Sequence, residues 1–381
     1  MSTLKPSDSP GANGATPRPP PDILFAASGK LEAETLFKTS YYPDSFRFPY
    51  NPDPLVRGND YSIYDEMRED EQVKACLTLK KDMALNTGWI VSCEDEEVRE
   101  FVKNNLSGMG DGGSLEPTFE DSLRDLLSAY EFGFSIAEVI HRSPAKSATG
   151  KWELGAVRVR PPHSFIFHLD DKGNVTDVEQ LGTKGVKFKP DIFLHFPYQA
   201  DFGSPYGRSD LRAAHQAWKA KKFIFRMAMR YAERFAGGIA IGRYKPNMST
   251  GEIGALQAAL RSIKDNTTLT VPEEAGIEIL QTARDSGDTY NKLIHMLNMW
   301  IARSLLIPDL IGLSGEQTSG GAYSLGKEHF RIFLASIEND KQSLARRITN
   351  KVIRPLVQIN FGDIPCDFSL NPMDIGEQQE Y

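Results

Sequence analysis

Apolar residues along this chain repeat first at helical spacing, then at strand spacing, then at helical spacing again. Over residues 70–85, Val73, Cys76, Leu77, Lys80 and Ala84 fall nearly on one side of a helix. A short strand is expected at 89–91. Next comes a helix over 96–105, with acidic residues in the first turn, where the helix dipole favours them. Thr118 and Asp121 make a capping-box pair that opens a helix through Tyr130. From Phe132 to Phe196 the period changes to two. Residues 134–140 alternate, and 152–159, 165–169 and 192–196 read as further strands. Asp171-Lys172-Gly173-Asn174 reads as a hairpin turn between two of them. The pattern predicts an α+β domain.

Three long helices dominate the remainder. The first follows Pro205-Tyr206-Gly207 and runs to about Phe235, a rod of roughly 40 Å. Leu211, Ala214, Trp218, Phe225, Ala228, Ala232 and Phe235 form its apolar face. Beside that face lies a stripe of Arg208, Arg212, His215, Lys219, Lys222, Arg226, Arg230 and Arg234, spaced three or four apart. Gly237-Gly238 stops the helix. A compact module follows: a strand at 239–244, a helix to about 263 capped by Ser249 and Glu252, and strands at 269–271 and 276–280. The second long helix starts near 286 and ends at Ile307-Pro308, with Tyr290, Leu293, Ile294, Leu297, Trp300, Ile301 and Leu305 on its apolar face. Residues 312–321 form a polar, glycine-rich loop. The third helix runs over 323–354 with a stripe of Phe330, Phe333, Ile337, Leu344, Ile348 and Val352, and Pro355 is expected to end or kink it.

Composition narrows the function. An apolar fraction of 40 % with 25 % charged residues is that of a globular protein, long enough for two or three domains. A net charge of -7 argues against a simple basic DNA-binding domain. The charge is uneven: residues 60–71 and 94–100 are acidic while the first long helix is basic, which suits surfaces that meet different partners. Cys76, Cys93 and Cys366 are scattered and odd in number, so no disulfide framework is expected and a reducing compartment is. The start has no basic-then-apolar leader, and no apolar run reaches membrane-spanning length, so a soluble protein without a membrane partner is expected. Residues 1–21 read as a flexible or polyproline arm.

Candidate chemistry is sparse. Gly321-Ala322-Tyr323-Ser324-Leu325-Gly326-Lys327-Glu328 has the spacing of a phosphate-binding loop. It lacks the Ser or Thr after the lysine and the buried strand before the glycine. His163, His168 and His195 lie in or beside strands, where a histidine is more often packed than catalytic. No metal-ligand spacing, nucleophile motif or paired carboxylate stands out, so no cofactor or metal is expected. Trp218, Phe223, Phe225 and Tyr231 sit among basic residues, but their helical spacing favours core packing over base stacking.

Three local patterns, in order, are similar to one family. Residues 130–138, Tyr-Glu-Phe-Gly-Phe-Ser-Ile-Ala-Glu, resemble its helix-to-strand turn. Residues 205–211, Pro-Tyr-Gly-Arg-Ser-Asp-Leu, resemble the entry to its stem helix. Residues 306–312, Leu-Ile-Pro-Asp-Leu-Ile-Gly, resemble the passage to its tunnel loop. The family is that of the portal proteins of tailed bacteriophages. The resemblance implies a wing of helices and antiparallel strands over 60–205, after an arm over 1–59. Stem helices at 206–236 and 284–306 would flank a small α/β clip at 237–283. A tunnel loop at 312–326 would precede a long kinked helix over 327–354, and a short tail over 359–381 would leave a helical crown reduced or absent.

The same resemblance implies a function. A ring, usually of about twelve subunits, would sit at one capsid vertex in the virion after assembly in the host cytoplasm. It would pass double-stranded DNA without sequence preference during packaging and ejection. The wing would touch the major capsid protein, and the clip would dock the large terminase subunit and later the head–tail adaptor. Gln317, Thr318, Ser319, Gly320, Gly321 and Lys327 become candidate tunnel residues. Glu252, Arg261 and Lys264 become candidate clip contacts. The basic stripe could face DNA, the capsid or a neighbouring subunit. No catalysis is implied. Two other readings stay open: an α+β enzyme acting on a phosphorylated substrate near 315–327, and a non-ring adaptor working through its proline-rich arm.

Overall fold

Side-chain caps at Asp70, Asp95 and Thr118 set where three of the early helices begin. The computed structural model describes residues 51, 53–56, 60–109, 117–147, 149–170, 174–182, 186–235, 239–243, 247–262, 276–280, 285–308 and 321–373. Helix α1, Ser62–Arg68, leads into α2, Glu71–Leu85, whose N-cap Asp70 accepts from the backbone of Gln72 and Val73. The expected face of α2 is buried throughout, Lys80 included. Strand β1, Trp89–Cys93, precedes α3, Glu96–Ser107, capped by Asp95. The complete Thr118/Asp121 box opens α4, Phe119–Leu126. The helix expected through Tyr130 instead breaks after α4, and α5, Ala129–Phe132, ends at Gly133 in the left-handed region.

Two three-stranded antiparallel sheets follow. Their strands are β2 Phe134–Arg142, β3 Glu153–Arg160, β4 Phe165–Leu169, β5 Val175–Gln180, β6 Val186–Phe188 and β7 Phe193–Pro197. The sheet orders are β3-β2-β7 and β4-β5-β6. Residues 171–173 of the expected turn lie outside the described residues, but Asp170 and Asn174 close its mouth with a 2.9 Å backbone bond. The polar strands β5 and β6 were not legible in the periodicity. Strand β2 does not alternate in burial as expected, because both of its faces are covered. Phe134 packs 5.3 Å from Phe167, while Ser135 donates to the Leu126 carbonyl at 2.6 Å.

The long helices are α6, Asp210–Phe235, and α8, Asp285–Ser304. Between them lie β8 Ile239–Arg243, α7 Thr250–Ser262 and β9 Gly276–Leu280. Strands β8 and β9 pair antiparallel. The strand expected at 269–271 lies outside the described residues. Helices α6 and α8 pack along each other, and Tyr231 meets Tyr290 at 5.6 Å. The end of α6 therefore lies beside the start of α8, and the two form an antiparallel hairpin carrying the small module.

Helix α9, Gly321–Ile348, passes into a π-turn at Thr349–Ile353 and then α10, Arg354–Phe361. Pro355 does not end the helix. The wider turn, in which the Arg354 N–H reaches the Thr349 carbonyl, makes room for a proline ring that has no N–H. The region read as a bare tail returns a strand. β10, Cys366–Leu370, pairs antiparallel with β1 and buries Cys366, Phe368 and Leu370. The expectation of unpaired cysteines is also corrected. Cys93 and Cys366 stand opposite each other in that ladder and are joined as a disulfide across 273 residues, which no local spacing could signal. Phe223, Phe225 and Trp300, expected in apolar packing, are half exposed instead. Among the described residues no helix is long and apolar enough to cross a membrane.

Candidate functional site at the root of the long helices

Two glycines set the geometry where α6 leaves the sheets. Gly133 ends α5 with φ 88°, and Gly207 precedes α6 with φ 57°. A Cβ on Gly207 would lie 2.0 Å from the Gly133 carbonyl and 2.5 Å from that of Tyr198. One on Gly133 would lie 2.6 Å from the Tyr206 carbonyl. Backbone stacks on backbone here, and only glycine fits at both places. Tyr198 N–H donates to Gly133 O at 2.8 Å, and Arg208 N–H donates to Tyr198 O at 2.7 Å. The Ser209 hydroxyl donates to the Glu131 carbonyl. His195 Nε2–H donates to Pro205 O at 2.8 Å, and burial holds its pKa down to about 4, so the ring is neutral at pH 7. His195 and His168, the latter 2.7 Å from Glu179, are packed and bonded, as expected of strand histidines. The motifs at 130–138 and 205–211, distant in sequence, are two halves of one joint.

Beneath the joint sits a buried ammonium. Lys80 Nζ lies 2.7 Å from Asp210 Oδ2 and 2.9 Å from the Tyr198 hydroxyl. It also lies 4.5 Å and 5.1 Å from the ring centres of Tyr130 and Tyr198. Asp210 is the first residue of α6, so it also meets the positive end of that helix. Burial pushes the Asp210 carboxyl upward, and Lys80 opposes part of that rise. Asp340 reaches the same cluster from α9. Burial raises it to about 6, against the pull of Lys80. Its buried Oδ2 and the Tyr130 hydroxyl make no hydrogen bond of good geometry among the described residues. Helices α2, α6 and α9 thus converge on one charge. Sequence reading placed Lys80 on an apolar face without assigning it a role. A lysine at such a position was the available signal.

The basic stripe divides along its length. Arg208 pairs with Asp201, Arg212 lies 3.9 Å from Asp53, and Lys222 pairs with Glu66. Lys221, outside the expected stripe, is buried and holds Asp70 at 2.9 Å and Glu71 at 2.5 Å. The acidic segment and the first half of the basic helix were expected to meet different partners; they meet each other. Lys219, Arg226 and Arg230 are exposed and form no ion pair among the described residues. The side chain of Arg234 lies outside the described residues.

Other candidate residues are scattered. Glu252 is engaged at a helix start: it accepts from Ser249 N–H at 2.7 Å and from the Ser249 hydroxyl at 2.8 Å, which lowers its pKa. The Arg261 side chain and Lys264 lie outside the described residues, as do Gln317, Thr318, Ser319 and Gly320. Gly321 and Lys327, assigned to a loop ending at 326 and to its flank, both belong to α9, which begins at Gly321. The stretch from Gly321 to Glu328 is therefore helical throughout and does not have the loop-then-helix shape of a phosphate cradle. Among the described residues no cluster of His, Cys, Asp or Glu could hold a metal ion.

Comparison with known proteins settles the family. A family model described as the portal protein of Mu bacteriophage matches residues 61–380. The chain belongs to that portal family. Its match to the portal protein of Escherichia phage Mu is 23 % identical over 251 residues, covering 64 % of this chain and 46 % of that protein. The chain thus spans about half the length of this curated portal relative. Its fold resembles a chain from the neck of a native gene transfer agent particle computed with C12 symmetry. There the TM-score is 0.57 at 12 % identity, over 82 % of this chain and 85 % of that one. A chain from the virion of the native gene transfer agent gives 0.57 at 13 % identity with the same coverage. The α+β portal fold expected from three short motifs is the fold observed.

Proposed function

We propose that this portal-family chain assembles as a ring at a capsid vertex and forms the channel for entry and exit of double-stranded DNA. The match of residues 61–380 to a portal family carries the reading. The likeness to a neck chain computed with C12 symmetry supports a ring of about twelve copies in a virion. In this reading the two sheets with α1–α5 and β10 are the wing, which faces the major capsid protein. Helices α6 and α8 are the stem. The β8-α7-β9 module is the clip, which docks the large terminase subunit and then the head–tail adaptor.

The loop before α9, with Gln317, Thr318, Ser319 and Gly320, approaches the axis and touches phosphates without holding them. Tight binding along a channel would oppose sliding. The exposed Lys219, Arg226 and Arg230 face DNA or an acidic neighbouring surface. The ring hydrolyses nothing, takes no cofactor and assembles in the host cytoplasm. The enzyme alternative loses its motive, because the segment that suggested a phosphate site is helical.

Light scattering with negative-stain imaging tests the ring. Expected are particles of about twelve chain masses with a central hole. A species that stays monomeric at every salt and protein concentration would sink the proposal.

A further inference from the structure

A cavity of about 200 Å³ opens between the two sheets and the end of α9. Phe167 and Val178 wall it from one sheet and Ile136 and Phe193 from the other, with Arg347 and Lys351 at the helix side. Arg347 is half buried. Its guanidinium donates to the His195 carbonyl at 3.1 Å, and no carboxylate pairs with it among the described residues. Arg346 beside it adds charge of the same sign, and burial already disfavours the charged form. His195, also on the wall, is neutral. Lys351 does have a carboxylate, Asp191 at 3.1 Å, but that group is 89 % exposed and sits at the rim. A guanidinium partly withdrawn from water without a counter-ion is costly. It is the more notable in a chain with net charge -7, where carboxylates are in surplus. The π-turn lies alongside, and Asn350 and Lys351 within it line the cavity, a common place for such turns.

We propose that this cavity binds a carboxylate carried on an apolar stem, with Arg347 as the anion's partner and the phenylalanine walls holding the stem. The size fits, since a cavity of about 150 Å³ already accommodates benzene. In a protein ligand this chemistry is an Asp or Glu beside an aromatic or aliphatic residue. The chain's own residues 374–381, Asp-Ile-Gly-Glu-Gln-Gln-Glu-Tyr, have that composition. The site does not depend on the channel reading and is tested on the full chain in whatever oligomer it forms.

Calorimetric titration with 3-phenylpropionate is the direct test, with 3-phenylpropionamide as the uncharged control. The acid should bind with Kd on the order of 1 mM, as expected for about eleven heavy atoms. The amide should bind at least about tenfold more weakly. Arg347→Gln should lose binding by a similar factor, and Arg347→Lys should keep part of it. Equal affinity for acid and amide, or no binding up to about 20 mM, overturns the proposal without relying on any variant. So does unaltered binding in an Arg347→Gln chain whose circular dichroism is unchanged. A synthetic peptide of residues 374–381 identifies the source. Binding stronger than that of its Asn/Gln counterpart makes this segment the ligand. Binding of the small acid alone leaves the site for an acidic segment of another protein.

Discussion

From Asp210 to Lys222, α6 is held by its own chain. Asp210 grips Lys80, Leu211 and Ala214 are fully buried, and Lys221 is sunk between Asp70 and Glu71. From Phe223 to Arg230 the same helix is largely bare. Phe223, Phe225 and Met229 are 53 %, 55 % and 57 % exposed, and Arg226 and Arg230 have no carboxylate beside them among the described residues. Composition barely changes between the halves: both are basic and both are apolar. What changes is who supplies the opposite surface. The first half is complete within one chain. The second presents apolar side chains at a density that monomers rarely leave uncovered, which agrees with burial against another copy in the proposed ring.

The sharpest way to break the anchored half is at the glycine stack. Gly207→Ala places a methyl group into two carbonyls and imposes a left-handed backbone on alanine. Strain and overlap together should cost about 4–5 kcal/mol. Urea denaturation should show that loss, or the chain should fail to accumulate in soluble form. Lys80→Met comes next, because it leaves Asp210 buried without its partner. A loss of about 3–4 kcal/mol is expected. Lys80→Met combined with Asp210→Asn should lose clearly less than the sum of the two single losses; a double loss equal to that sum would mean that the pair is not coupled.

Asp340 gives a smaller effect with a pH signature. Burial raises its pKa from 3.8 to about 6, so between these values the folded chain holds a proton that the unfolded chain has released. Its contribution to stability is full below about pH 4 and declines as pH rises to about 6. Asp340→Asn should flatten that slope and gain about 1–2 kcal/mol at pH 7, where the native carboxylate is ionised at a cost. Denaturation midpoints at pH 4, 5, 6 and 7 would show it. A slope unchanged in the variant assigns the titration elsewhere, with Asp210 the next candidate. On the bare half, Phe223→Ser with Phe225→Ser should change the stability of the isolated chain by no more than about 0.5 kcal/mol per site. The same change should abolish or weaken ring assembly seen by light scattering. Intact rings would show that this half faces solvent or DNA instead.

Local signals were read well and pairings were not. Thr118 and Ser249 marked helix starts because a cap is a contact over two or three residues. The stripe from Phe330 to Val352 was legible because a helix repeats its own pattern. Strand β10 alternates cleanly, with Cys366, Phe368 and Leu370 buried, but five residues are too short a run to declare a strand until β1 is beside them. The Cys93–Cys366 pair depends on that same register. Gly133 and Gly207 each lie inside a motif, but that they touch is a fact about the fold of the whole segment between them, not about either motif. The half-exposure of Phe225 and Trp300 failed for another reason. Periodicity reports that a face is apolar, not whether its cover belongs to the same molecule.

The pairing of β1 with β10 also imposes an order in time. Cys93 and Cys366 are 273 residues apart. At synthesis rates of about 5–20 residues per second, β1 emerges roughly 14–55 s before the strand it must pair with exists. During that interval Trp89 and Phe119 lack Phe368, against which both finally pack, at 6.0 and 5.6 Å. The first domain cannot close on the ribosome as its residues appear. It is sealed near the end of translation, when the long helices have already been made, so a chain cut short before Leu370 would carry an open sheet edge and an unfilled aromatic core.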